Sequence, residues 1–276
     1  MTMLNSIILG LVQGIAEFLP ISSSGHLVLF QKLLNLPNSE DFIIFDILLH
    51  VGTLVSVLFF YWKDVVELIA SFCGIIADMF KGKFDFKSQK RNLLVLLVIA
   101  TLPLFVALVF KSKIELIFSS SLLVGSALLI TGCILWFVDG LERGSLNEQS
   151  AGWKNALVVG LLQLFAIIPG ISRSGLTIFG GVMSGLKKEF AVKFSMLLSI
   201  IAVTGAAAAS IPDLMSGAGL PVSAAQCVVG MIVSAVSGIF AIKFLVRMLS
   251  KNSFKVFSYY CWAVGVITIL TSFIKG

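Results

Sequence analysis

The stretch Gln13-Gly14-Ile15-Ala16-Glu17-Phe18-Leu19-Pro20-Ile21-Ser22-Ser23-Ser24-Gly25-His26 decides how this chain is read. It sets a carboxylate, three consecutive hydroxyls and an imidazole inside a sequence that is hydrocarbon on both sides. Such groups are costly in an apolar setting, and persist there when paired or when they line a cavity where chemistry or transport takes place. We therefore read the stretch as the site.

Its surroundings are those of an integral membrane protein. Of 276 residues, 58% are hydrophobic and 12% charged, where an ordinary soluble domain has roughly 45–50% and about 25%. The mean hydropathy is +1.05. Apolar runs such as 93–110 and 222–242 approach the roughly 20 residues that a spanning helix needs, and no alternating barrel pattern is present. Residues 1–10 carry neither a basic region nor a cleavage site, so no removed secretory signal is expected. Cys73, Cys133, Cys227 and Cys261 stand singly in apolar segments and read as small core residues rather than metal ligands. The net charge of +6 sits in short loops between apolar runs, where the positive-inside rule puts it. It describes topology and predicts no nucleic-acid partner.

Working outward, residues 1–30 are broken at Pro20 and by the serines, and 31–42 form a polar loop. A span at 43–62 carries Asp46 and His50, one helical turn apart, which we read as bonding each other rather than a ligand. Asp64, Glu67, Ser71, Gly74 and Asp78 recur every three or four residues, giving a polar stripe that suits an interfacial helix. The loop 81–92, with Lys81, Lys83, Lys87, Lys90 and Arg91, is the strongest cytoplasmic marker. Spans are expected at 93–110 and 117–138, then a polar loop at 139–152. Residues 154–186 are broken by Pro169-Gly170 and by Ser172-Arg173-Ser174-Gly175. Lys187, Lys188 and Lys193 precede a span at 194–211. Spans at 222–242 and 256–274 flank a basic loop with Lys243, Arg247, Lys251 and Lys255.

Sliding the chain against itself by 150 residues pairs Gly10 with Gly160, Leu11 with Leu161, Gln13 with Gln163 and Ala16 with Ala166. The same register pairs Ile21 with Ile171, Ser22 with Ser172, Ser24 with Ser174 and Gly25 with Gly175. Several of these identities are polar, so hydrophobic bias alone does not produce them, and the motif occurs twice. With the basic loops cytoplasmic, residues 154–186 enter and leave on one side as a re-entrant hairpin, although a two-crossing reading stays open. Three spans lie between the motifs, and an odd number inverts the second copy. The expected fold is an all-α integral membrane protein of two inverted-topology repeats, each a re-entrant helical hairpin plus three transmembrane helices. The first repeat covers 1–138 with its hairpin at about 5–30, a cytoplasmic linker covers 139–153, and the second repeat covers 154–276 with its hairpin at about 154–186. The hairpin tips would meet near the midplane.

At that meeting point one copy offers Glu17, Ser23 and His26, which a bent hairpin could gather. The other replaces Glu17 with Ile167 and Ser23 with Arg173. A guanidinium fork and a turn opening a helix suit phosphate oxygens. Ser24 and Ser174 read first as capping hydroxyls of broken membrane helices. A structural Glu17–Arg173 ion pair is the plain alternative to catalysis.

Together, Gln13-Gly14-Ile15-Ala16-Glu17-Phe18-Leu19-Pro20-Ile21-Ser22-Ser23-Ser24-Gly25-His26-Leu27 and Pro169-Gly170-Ile171-Ser172-Arg173-Ser174-Gly175-Leu176-Thr177 resemble the bacitracin-resistance type undecaprenyl pyrophosphate phosphatases. The resemblance covers essentially the whole chain. It implies a multi-pass enzyme of the bacterial plasma membrane, open to the extracytoplasmic side, that removes one phosphate from undecaprenyl pyrophosphate and recycles the lipid carrier of cell-wall synthesis. It also implies a divalent cation, Mg²⁺, with Glu17 as a ligand. By matching positions, Glu17, Ser23, His26 and Arg173 are the catalytic candidates. Gln13, Ser22, Gly170, Ser172, Ser174 and Thr177 are the phosphate-binding candidates. Many members carry Glu where this chain has Gln13, which leaves a two-carboxylate metal site open; an amide can ligate or orient but cannot act as a base. Ser23, His26 and water all stand as nucleophile. The competing class is a transporter or flippase of a lipid phosphate or other anion. Partners reduce to the polyprenyl pyrophosphate and membrane lipids, with a homodimer among the open oligomeric states.

Overall fold

Proline and hydroxyl chemistry set where the helices break. The computed structural model describes residues 1–36, 42–80, 89–109, 120–141, 144–211, 222–249 and 253–275. Lys81, Lys83, Lys87 and Lys251, and the middle of the polar loop at 31–42, lie outside them. Helices α1 (Met3–Phe18) and α2 (Ser23–Leu33) form a first hairpin. Then come α3 (Ile43–Phe60), α4 (Trp62–Phe80), α5 (Gln89–Thr101), α6 (Leu104–Val109) and α7 (Ser121–Gly140). A second hairpin, α8 (Trp153–Phe165) and α9 (Arg173–Met183), precedes α10 (Lys188–Ala209), α11 (Ala224–Leu249) and α12 (Lys255–Lys275). Among the described residues the other regular backbone pairing is one isolated bridge, between Leu146 and Leu186.

Five helices, α3, α7, α10, α11 and α12, are long and apolar enough to cross a bilayer. The chain is an all-α, multi-pass membrane protein. The span expected over 93–110 is different. Its helix stops at Thr101 and restarts at Leu104, because Pro103 has no N–H to donate and its ring disfavours helix in the preceding residue. The helices α1 and α2, with 16 and 11 residues, reach roughly 24 and 17 Å at about 1.5 Å per residue, short of the roughly 30 Å hydrocarbon thickness.

Each hairpin returns to the end at which it begins. In the second, the Asn155 amide near the start of α8 donates to the Ser184 carbonyl just past α9 at 2.7 Å. In the first, Met1, before α1, packs in one apolar cluster with Leu34 and Leu36, past α2. The helix α7 shows where these ends lie. At its start, Ser121 takes a 2.8 Å hydrogen bond from Lys32 at the end of the first hairpin. At its other end, Asp139 pairs with Lys188 at 3.2 Å, beside the end of the second hairpin, and accepts the Phe254 and Lys255 N–H groups that open α12. The hairpins therefore open toward opposite ends of α7.

The end marked by Asp139 also holds a network of charges. Lys90 lies 3.0 Å from each of Asp64, Glu67 and Glu148, and Lys193 lies 2.7 Å from Asp64 and 3.0 Å from Glu148. Arg91, next to Lys90, reaches Asp78 at 2.7 Å. Adjacent residues at the start of α5 thus touch acids at opposite ends of α4, which can happen only if α4 lies across the end of α5. Its acidic stripe is the face turned toward these cations.

Candidate active site

The two motif turns touch at mid-height of the bundle. Gly170 holds a positive φ of 97°, a conformation in which a Cβ is costly. A Cβ on Gly25 would come within 2.9 Å of the Gly170 Cα, so the hairpins meet backbone to backbone. Thr131, halfway along α7, clamps the second turn: its hydroxyl donates to the Gly170 carbonyl at 2.8 Å and accepts the Ser172 N–H at 3.1 Å. The Ser174 hydroxyl reaches the Leu19 carbonyl of the first turn at 3.3 Å. Both turns launch helices in the same way. Ser22 accepts the Gly25 N–H at 3.3 Å and Ser172 accepts the Gly175 N–H at 3.0 Å. The N-termini of α2 and α9, the positive ends of their dipoles, converge on the same spot.

Glu17 lies at that spot, 7% exposed. Its Oε2 accepts the Ser23 hydroxyl at 2.7 Å and the Gln13 amide at 3.0 Å. His50 Nε2 stands 3.4 Å from the same oxygen. Its Oε1 accepts Arg173 Nη2 at 2.5 Å. Glu17, Ser23, Gln13 and Arg173 are thus brought together from both hairpins.

The imidazole beside Glu17 is His50, and His26 does not reach that carboxylate. His26 turns toward α12: its Nδ1 bonds the Ser22 carbonyl at 2.7 Å, its Nε2 meets the Tyr260 hydroxyl at 2.9 Å, and the two rings stack. With Nδ1–H committed to a carbonyl, Nε2 accepts a hydrogen bond from the Tyr260 hydroxyl. His50 bonds Asp46 as read from spacing, through the backbone carbonyl and not the carboxylate. Its Nδ1 donates to the Asp46 backbone carbonyl at 2.7 Å, while the Asp46 carboxylate takes the Gln31 amide at 2.9 and 3.0 Å. An imidazole that donates through Nδ1 to a carbonyl can meet the Glu17 carboxylate favourably through Nε2 only by carrying a second proton, or by sharing one with it. The sequence signal was there, since a histidine inside a span is costly unless it has work.

Thr177 supports the frame from below. Its hydroxyl donates to the Arg173 carbonyl at 2.9 Å and lies 2.6 Å from the Ser195 hydroxyl of α10, so it holds the first turn of α9 against α10. Ser172 and Ser174, whose hydroxyls are 3.2 Å apart, line the cavity beside Arg173.

That cavity has a volume of about 240 Å³, with Glu17, the three serines of the first turn, His50, Ser172 and Arg173 on its polar side. Leu104, Ile167, Ala202, Val203 and Ala206 form an apolar wall. Two buried side chains that line it keep atoms with no hydrogen-bond partner among the described residues, Arg173 at Nη1 and Gln163 at both amide atoms; Gln13 Oε1 is likewise unpartnered, but Gln13 is fully buried and lies outside the lining. For a divalent cation, no group of three or more His, Cys, Asp or Glu is gathered among the described residues. A cation held mainly by a diphosphate needs less, because Mg²⁺ keeps several waters and takes one or two protein oxygens. Glu17, which lines the cavity, fits that requirement with one such oxygen.

Residues 6–267 match the family model described as bacitracin resistance protein BacA. The chain belongs to this family. Among curated relatives, undecaprenyl-diphosphatases of Alkaliphilus metalliredigens and Methanosphaera stadtmanae are each 42% identical to it over 275 residues, covering 99% and 98% of both chains respectively. The undecaprenyl-diphosphatase of Korarchaeum cryptofilum is 40% identical over 267 residues, 96% of this chain and 98% of that one. Both BacA-like motifs lie within the matched region.

Proposed function

We propose that the chain hydrolyses undecaprenyl diphosphate to undecaprenyl phosphate and inorganic phosphate, the activity its relatives are named for. This recycles the lipid carrier of peptidoglycan synthesis and confers bacitracin resistance. The observation that carries the reading is one carboxylate, Glu17, bonded to a hydroxyl from one hairpin and a guanidinium from the other. Phosphoryl transfer asks chiefly for positioning and charge stabilisation, and both stand within one hydrogen bond of Glu17.

In this reading the Ser23 oxygen attacks the terminal phosphorus and its proton passes to Glu17. The bond from that phosphorus to the bridging oxygen breaks, and prenyl phosphate leaves with the bonding electrons. Glu17 hands that proton on to the departing prenyl phosphate and is a carboxylate again. It then deprotonates water, which attacks the phosphoserine phosphorus; the bond from phosphorus to the Ser23 oxygen breaks, phosphate leaves, and Ser23 takes its proton back from Glu17. Arg173 and the N-termini of α2 and α9 neutralise the phosphate oxygens, and His50 helps carry the proton that Glu17 takes up. His26 and Thr177 position α2 and α9. A divalent cation carried by the diphosphate would be held by Glu17 and would supply further charge neutralisation.

The lipid tail leaves along the apolar wall. Opposite-opening hairpins and the 150-residue register support two inverted repeats in a plasma membrane, with the Lys90 and Lys188 end cytoplasmic and the site entered from the other side. A carrier would need the cation and the donors, but no hydroxyl beside a carboxylate. The deciding measurement is phosphate release from a prenyl diphosphate by the purified protein in detergent, where no compartments exist. Release is expected; binding without release would overturn the hydrolase reading in favour of transport.

A further inference from the structure

We propose that Gln163 is a substrate-binding residue: with Nη1 of Arg173, its side-chain amide holds the phosphate attached to the lipid chain. This rests on the diphosphate reading of the cavity and adds the subsite for its second phosphate.

Gln163 is 1% exposed, lines the cavity, and has neither amide atom hydrogen-bonded among the described residues. A buried amide without partners is disfavoured, and a native site keeps one where a ligand completes it. The reason it is unpaired lies in the repeat. Its counterpart Gln13 gives its amide to Glu17, four residues on, at 3.0 Å. Four residues on from Gln163 stands Ile167, so the second copy retains the amide and has lost the carboxylate that would occupy it.

Arg173 shows the complementary pattern. Its Nη2 is held by Glu17, while Nη1 is buried without a partner among the described residues. One edge of the guanidinium therefore faces the carboxylate and another nitrogen remains for an anion. Position assigns that anion. Ser23 and Glu17 belong to the first hairpin and take the terminal phosphate. Gln163 belongs to α8, which packs against α6, and shares the cavity with Leu104 of α6, Ile167 and the alanines of α10. The phosphate on that apolar side is the one esterified to the chain. As the bridging bond breaks, the leaving prenyl phosphate gains negative charge, and N–H donors there stabilise it.

The test is binding of two non-hydrolysable ligands, farnesyl methylenediphosphonate and a farnesyl monophosphonate, to wild type, Q163M and Q163E in detergent. Both ligands carry the phosphonate next to the chain, so Q163M weakens both by a similar factor of roughly ten or more, as for loss of a hydrogen bond to a charged group. Q163E, which keeps the shape and turns donors into a like charge, weakens both further and serves if Q163M fails to fold. The thermal midpoint of ligand-free Q163M equals or exceeds that of wild type, because an unpartnered amide contributes nothing to fold stability. Unchanged binding, a loss confined to the diphosphonate, or a lowered midpoint overturns the assignment. Phosphate release by wild type is measured alongside. Binding of the diphosphonate without release would count against the hydrolase reading and leave this subsite standing.

Discussion

Ser23 and Arg173 occupy the same register in the two copies of the motif and bind opposite oxygens of one carboxylate, Ser23 at Glu17 Oε2 and Arg173 at Oε1. Sequence-equivalent positions have become the hydroxyl and the cation of a single site. Removing either should show in the rate. Ser23→Ala is expected to lose about a thousandfold or more in kcat. Arg173→Lys, which keeps charge but loses the planar fork, is expected to lose about a hundredfold. Steady-state phosphate release checks both, and near wild-type rates in Ser23→Ala would remove the serine as nucleophile.

The two histidines should separate by measurement. His50→Gln leaves Glu17 without its neighbouring imidazole, so kcat/KM is expected to fall about tenfold. Tyr260→Phe removes one hydrogen bond to His26. It should cost about 1 kcal/mol of stability while kcat/KM stays near that of wild type. If Tyr260→Phe lowered kcat/KM about tenfold and His50→Gln did not, the roles given to the two rings would be reversed.

Gly25→Ala tests the hairpin contact. The added methyl would press on the Gly170 backbone, which has no flexible end to yield, so a loss of about 1–3 kcal/mol is expected. Thermal unfolding in detergent, with Ser24→Ala as the control for a methyl-sized side chain at the neighbouring position, reads the effect. Wild-type stability in the Gly25→Ala protein would show that the turns can part without cost.

The charge network at the Asp139 end predicts a pH dependence of stability. Burial works to raise the Asp64 carboxyl, but hydrogen bonds from Lys193 and Lys90, and then their charges, outweigh it and hold it below its ordinary value. A depressed carboxylate contributes stability above its unfolded value, and loses it as the pH falls through the lower folded one. For Lys90, burial opposes the charge, and hydrogen bonds to Glu148, Glu67 and Asp64 raise it above the usual lysine range. Asp64→Asn should therefore lower the unfolding midpoint at pH 7. The difference from wild type should shrink as the pH drops below about 3.8, the ordinary Asp value. A constant difference across that range would mean the pairing contributes nothing.

Much of this architecture is legible because membranes make polar residues conspicuous. The motif around Glu17, its second copy and five of the six expected spans declare themselves through composition and period. What stays hidden depends on which way a helix face turns. Spacing puts Asp46 and His50 one turn apart and suggests that they pair. They do, but through the Asp46 backbone carbonyl, while packing of α3 turns the Asp46 carboxylate to Gln31 and His50 Nε2 to Glu17, contacts set by partners 15 and 33 positions away in sequence (46 − 31 and 50 − 17). His26 sits nine residues from Glu17 (26 − 17), close enough to suggest contact, yet Tyr260 of α12 takes its ring. Pro103 is a different case, because its signal is local and plain. The long apolar run on either side of it mimics a single unbroken helix, and the missing N–H divides that helix in two.

The shared register of Ser23 and Arg173 also bears on ancestry. Two identical half-length chains meeting tip to tip would bring two hydroxyls or two guanidiniums to the junction, never one of each. The division of labour seen here needs two copies of the motif that can change independently of each other, and one chain carries both.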